Sequence, residues 1–242
     1  MTVYDGQMRK EPFSIGSYIH VVQRGTRGLP IVRDEADRFR FLLMLTHFND
    51  SFTPLNWSRD LHDSRIRGTF ERPPHWPERD AHVLLTAFGL VENHFHLLLQ
   101  EIKDGGTARF MHRLGTGMAK KFNERYGEKG SLFQGSYCAR TVDDDDYFRY
   151  VSAYIQVKNA FDAHPKGYDW ARDNFDEAYE WASAYPYSSL GDYVGTFDRP
   201  IVDKKFLTSL YNPSDYREFA RDVILGRNPL DDSTLHSTGL FE

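Results

Sequence analysis

"AHVLLTAFGLVENHFHLLLQE", residues 81–101, reads as two β-strands joined by a turn near Val91–Asn93. The second strand carries two imidazoles, His94 and His96, inside a run of Leu and Phe. Strand side chains alternate between faces with a period of two, so His94 and His96 point one way. Phe95, Leu97 and Leu99 point the other way and can fill a core. Two neutral imidazoles on one face make half of a metal site, or a grip on a phosphate.

The flanking segments set the context of this pair. "SYIHVVQRG" (17–25) is a strand, rich in β-branched and aromatic residues and closed by Gly25. "DEADRFRFLLMLTHFND" (34–50) is an amphipathic helix with acidic residues in its first turn. Residues 51–80, with Trp57, Trp76 and five Arg balanced by five acids, read as a loop or small hairpin inserted before the histidine hairpin. "TARFMHRLGTGMAKKFNERYG" (107–127) is a second helix, and "SLFQGSYCARTV" (131–142) a strand after a glycine turn. The acidic run Asp143–Asp146 suits the first turn of a third helix, 145–161. The order β-α-β-β-α-β followed by a helix predicts an α+β, ferredoxin-like antiparallel sheet with helices on one face. Residues 1–161 form that domain, and 162–242 a mainly helical extension packed on it.

The chain has 242 residues, 40% hydrophobic and 27% charged, the composition of a globular protein. No apolar run approaches the roughly 20 residues that span a bilayer, so no membrane partner is expected. The N-terminus shows no signal-peptide core, and a cytoplasmic location is expected. Cys138 is the only cysteine, which excludes an intrachain disulfide and a thiolate zinc cluster. The net charge of −5 hides a split. Residues 1–161 carry 22 Lys and Arg against 20 Asp and Glu, whereas 162–242 carry 8 against 15. A nucleic-acid surface needs a local basic stripe rather than a high overall pI, and the first part can supply one.

Several side chains could complete the histidine face. On the third helix Tyr147, Tyr150 or Val151, Tyr154 and Lys158 share a stripe, so Tyr154 is either core or turned to the imidazoles. On the second helix Arg109, Arg113, Gly117, Lys121 and Arg125 recur every four residues. That stripe is either a solvated face or a track for a nucleic-acid backbone, approaching closely at Gly117. Arg24 and Arg140, at strand ends near the pair, are candidate phosphate contacts. His20 is either a packed, hydrogen-bonded core histidine or part of the site. The His-φ-His-φ-His pattern of metal-independent phosphoesterases would need a histidine at position 98, which is Leu.

Taken in order, "IHVVQRG", a helix, "NHFHLLL", "GSLFQGSY", an acidic helix start leading into "YIQ", and "YPYSSLGDY" resemble the single-tyrosine HUH transposases of small bacterial insertion sequences. The REP-associated tyrosine transposases and their relatives share this set, over roughly residues 15–195. The resemblance implies the HUH endonuclease fold and a transposase or nuclease that binds hairpin-bearing single-stranded DNA as a monomer or homodimer. It implies Tyr154 as nucleophile, leaving a 5′-phosphotyrosine and a free 3′-OH, and a divalent ion, Mg or Mn, on His94 and His96. Arg24, Arg109, Arg113, Lys121, Arg125, Arg140 and Lys158 would then be DNA contacts. The alternative is a retired or co-opted relative that binds hairpins without cleaving them.

Three positions depart from the pattern. Relatives usually read Met-Pro-Asn-His at Val91–His94, and a histidine where this chain has Gln156. The amide implied as third metal ligand, four residues after the tyrosine, is Lys158, a cation with no lone pair. Either Lys158 turns to a DNA phosphate while water or Glu92 completes the site, or the ammonium takes the place of the ion.

Overall fold

Four strands pair antiparallel in the order β2-β3-β1-β4: β1 (Tyr18–Arg24), β2 (Val83–Leu90), β3 (His94–Glu101) and β4 (Cys138–Val142). This is the split βαβ order of the ferredoxin-like fold. The computed structural model describes residues 13–60 and 70–227. Between the strands lie α1 (Glu35–His47), α2 (Trp57–Asp60) in the inserted segment, and α3 (Gly106–Tyr126). After β4, α4 (Asp145–Ala153) continues through a π-helical turn (Tyr154–Lys158) into α5 (Asn159–Asp162). The extension adds α6 (Tyr168–Asp173), α7 (Phe175–Ala184), α8 (Leu190–Tyr193), α9 (Lys205–Leu210) and α10 (Pro213–Ile224). Among the described residues no helix is long and apolar enough to cross a membrane.

Local chemistry starts the helices where the sequence places acids. The Asp34 carboxylate accepts from the Asp37 amide at 3.0 Å to cap α1, and Asp144 accepts from Tyr147 at 2.7 Å to cap α4. The sheet separates two cores. Ile19, Val21, Phe95, Leu97 and Leu99 face α1 and α3, meeting Phe41, Leu45, Phe110 and Leu114. Val22, Ala87 and Leu98 face the other way, meeting Phe148, Val151 and Ile155 of the α4–α5 helix, with the extension packed behind. The two helices of the βαββαβ unit thus lie on one face, as the pattern predicts, and the helix after it covers the second.

Two expected elements have different limits. Of residues 131–142 only Cys138–Val142 joins the ladder, and Phe133 makes an isolated bridge to Gly25. The helix over 145–161 is continuous but not α-helical throughout. The Asn159 amide donates to Tyr154 O, an i→i+5 bond, and the Ser188 hydroxyl donates to Gln156 O at 2.7 Å. The segment that holds Ser188 runs along the outer edge of β2. Leu90 N donates to Tyr187 O at 2.9 Å and Ser189 N to Phe88 O at 3.0 Å, so the edge strand is covered.

Candidate active site

Residues paired across an antiparallel ladder point to the same face. The register places Arg24 opposite His94, Val22 opposite His96, His20 opposite Arg140, and Gly89 opposite His96. Arg24, His20, His94, His96 and Arg140 therefore share the face that the α4–α5 helix covers. Tyr154 projects from that helix, buried, with its ring centroid 5.5 Å from that of His96. The two ligand candidates meet edge to face, their ring centroids 5.0 Å apart and the planes at 75°.

Each imidazole is held by a partner on Nδ1. Asn93 donates its Nδ2 to Gly28 O at 3.3 Å, which turns its Oδ1 to His94 Nδ1 at 2.8 Å. His94 Nδ1–H must then donate, leaving the Nε2 lone pair free. His96 Nδ1 lies 2.9 Å from His20 Nε2, and His96 Nε2 is buried without a hydrogen-bond partner. With His96 as donor in that pair, its Nε2 also keeps a lone pair. Burial, reinforced by Arg24 and Lys158, pushes His94 down to about 3. Burial and then its neighbours His94 and His20 hold His96 well below the ordinary histidine value. Burial, helped by Arg140, lowers His20 to about 3. All three rings are neutral at pH 7.

This donor set fits a divalent ion: two imidazole lone pairs on one face, each oriented by a second group. Among the described residues no third His, Cys, Asp or Glu joins them. Glu92 does not, because the turn in which Val91 N donates to His94 O takes it out of the β3 alternation and leaves it exposed. Lys158 lies beside the site, its Nζ 5.1 Å from the Tyr154 ring centroid and 2.8 Å from Asp162 Oδ2. Gln156 turns away and donates to the Tyr216 hydroxyl at 3.1 Å.

The basic stripe of α3 is not part of this arrangement, because α3 packs on the opposite face of the sheet. Arg125 pairs with Asp34 at 2.5 Å and Asp37 at 2.6 Å, and Lys121 with Glu124 at 2.8 Å. Arg113 donates to Phe52 O at 3.0 Å and to Asp50 O, tying down the start of the insertion. Arg109 is exposed and donates to Asp104 O. Gly117 offers no close approach to a nucleic-acid backbone: a Cβ there would lie 2.3 Å from the Phe48 ring, which fills the space. Spacing along a helix identifies a stripe but not what stands opposite it.

Sequence reasoning passed over Asn93, whose position next to His94 was the available signal. It left His20 undecided. The structure makes it the positioning partner of His96, a contact across 76 residues with no local signature.

A tyrosine over a His-x-His pair on a ferredoxin-like sheet is the constellation that the family resemblance implies. Residues 63–158 match the family model described as "Transposase IS200 like". A solved structure of a REP-associated tyrosine transposase bound to a REP hairpin is similar at 12% identity. It covers 82% of this chain and 94% of that one, with a TM-score of 0.45. None of the curated proteins matches this chain.

Proposed function

We propose that this protein binds hairpin-bearing single-stranded DNA and cleaves and rejoins it through a 5′-phosphotyrosine on Tyr154. The observation that carries this reading is the Tyr154 ring 5.5 Å from His96, on the face that also holds His94, Arg24 and Arg140. The family match to transposases supports DNA as the substrate. In the forward step the Tyr154 oxygen bonds to phosphorus and the P–O3′ bond breaks. The phenol proton passes to water, and the 3′ oxygen takes one up. The number of ester bonds at phosphorus is conserved, so the reverse attack rejoins the strand without a nucleotide cofactor.

A phenol with an ordinary pKa near 10 is a poor nucleophile at neutral pH and needs help from its surroundings. Lys158, above the Tyr154 ring, attracts the negative charge that develops as the proton leaves. A divalent ion, Mg or Mn, held by His94 Nε2 and His96 Nε2 would act as a Lewis acid on the scissile phosphate. Asn93 keeps the His94 ring in the tautomer that can bind it, and His20 does the same for His96 when it accepts from His96 Nδ1. Arg24 and Arg140, on the same face, are placed to receive neighbouring phosphates.

The test is a denaturing gel of hairpin DNA incubated with protein and Mn²⁺ or Mg²⁺. A covalent adduct that survives boiling, and that is lost in Tyr154→Phe while native-gel binding stays intact, is expected. A native shift with no adduct from the unaltered protein would favour hairpin binding without cleavage. An adduct that persists in Tyr154→Phe would assign the nucleophile elsewhere.

A further inference from the structure

Ser152 and Gln156 stand two residues before and two after Tyr154, and both are fully buried. Successive helix residues are turned by about 100°, so two steps either way lead to the side of the helix away from Tyr154. Tyr216 of α10, also buried, meets that side. Gln156 Nε2 donates to the Tyr216 hydroxyl at 3.1 Å, and that hydroxyl donates to Ser152 Oγ at 3.3 Å. Ser152 Oγ in turn donates to Arg149 O at 2.7 Å. Each hydroxyl accepts one hydrogen bond and gives one, and the chain ends on a carbonyl of the helix itself.

Local chemistry puts Tyr216 in place. Asn212 caps α10 by accepting from Asp215 N at 3.0 Å, Pro213 opens the first turn, and Tyr216 N closes it on Asn212 O at 3.1 Å. Burial holds the Tyr216 phenol well above its ordinary pKa, so the hydroxyl keeps its proton and remains a donor. The extension also takes the main-chain carbonyl of Gln156, through the Ser188 hydroxyl. One residue of the π-turn is thus held from outside at its side chain and at its backbone. Both partners lie beyond residues 63–158, the stretch that the family model matches.

We propose that Tyr216 is a positioning residue for Tyr154, its hydroxyl fixing the back of the turn whose front presents the phenol to His96. This rests on the cleavage reading above. Without that hydroxyl, Gln156 Nε2 and Ser152 Oγ lose their shared partner in a buried place. Ser188 and packing alone then set how Tyr154 stands over the histidines. Tyr216 reaches the reacting atoms only through the helix, on the far side from the imidazoles.

Two measurements on the full chain test this. The first is single-turnover adduct formation at saturating hairpin DNA, well below Tm. Misplacing a reacting group by about 1 Å can cost about a hundredfold, so Tyr216→Phe is expected to slow the step at least about tenfold. Hairpin affinity should not change. Gln156→Leu should slow it likewise and add no further loss to Tyr216→Phe, because the two remove one interaction. Gln156→His, which keeps an N–H donor, should retain most of the rate. A role in stability alone would lower Tm and leave the rate, so an unchanged rate in Tyr216→Phe overturns the inference, as do additive losses. Should Tyr216→Phe fail to fold, equal rates for Gln156→Leu and Gln156→His overturn it instead. The second measurement does not depend on cleavage: NMR of protein labelled with ¹³C at tyrosine Cζ. The Tyr154 resonance, identified by its absence in Tyr154→Phe, should shift in Tyr216→Phe or Gln156→Leu, while that of Tyr126 on α3 stays. A Tyr154 resonance that does not move refutes the positioning role. If the unaltered protein forms no adduct, the cleavage reading fails, and the resonance still decides whether Tyr216 positions Tyr154.

Discussion

Gly89→Ala tests how closely the helix that carries Tyr154 is seated on the histidine strand. A Cβ at residue 89 would stand 2.4 Å from Ile155 O, a backbone atom of the π-helical turn. Ordinary contact begins at 3.4 Å, so the helix must retreat by about 1 Å or the strand must bend. Overpacking of this kind costs about 1–3 kcal/mol, and 2 kcal/mol lowers Tm by about 4–8 °C for a chain of this size. The same retreat carries Tyr154 away from His96, and a 1 Å misplacement can slow chemistry by about a hundredfold. Gly135→Ala is the control, since nothing lies within 4 Å of its added Cβ. It should stay within about 0.5 kcal/mol of the unaltered protein. Urea unfolding and single-turnover adduct formation on hairpin DNA measure the two effects. If Gly89→Ala unfolds at the same urea concentration as Gly135→Ala and forms adduct at the same rate, the helix is not seated as described.

Arg199 donates to Asp192 Oδ1 at 2.9 Å and to Ser188 O at 3.0 Å, bracing the segment over the β2 edge, with Asp192 1% exposed. Arg199→Met should cost about 3–5 kcal/mol in urea unfolding, because it strands a buried carboxylate. Arg199→Met and Asp192→Asn together should cost less, and equal losses would contradict this. Burial, with Arg79 and Arg72 adding to it, pushes His47 down to about 4. Its contribution to stability is complete above the unfolded value near 6.5 and is lost as pH falls toward 4. His47→Phe should therefore flatten the pH dependence of stability in that window by about 3 kcal/mol, and an unchanged slope would place the titration elsewhere. Arg24→Ala and Arg140→Ala should weaken hairpin binding and reduce its salt dependence, each by about one phosphate contact. Arg125→Ala should leave hairpin binding unchanged and lower Tm, because Asp34 and Asp37 already hold that guanidinium.

Much of the site was readable from short-range pattern. A period of two is a property of the strand itself, so His94 and His96 were bound to share a face opposite Phe95 and Leu97, whatever the rest of the chain did. The acids at Asp34 and Asp144 marked helix starts for an equally local reason, the unpaired amides of a first turn. The order of strands and helices was enough to predict the four-stranded sheet that forms.

What tertiary structure decided were the meetings of segments far apart in sequence. His20 reaches His96 across 76 residues, and nothing local distinguishes a histidine that braces another imidazole from one that fills a core. The α3 stripe had the spacing of a DNA track, but packing turned Gly117 onto Phe48 and gave Arg125 to the start of α1. The inward residue after Tyr154 could not be read with a helical period of 3.6, because one π-turn shifts every later side chain. That turn forms where Ile155 O lies against Gly89 and Ser188 satisfies Gln156 O. Both partners come from elsewhere in the chain, so the local sequence determines that a helix carries Tyr154, and the sheet beneath it determines whether Lys158 or Asn159 is buried.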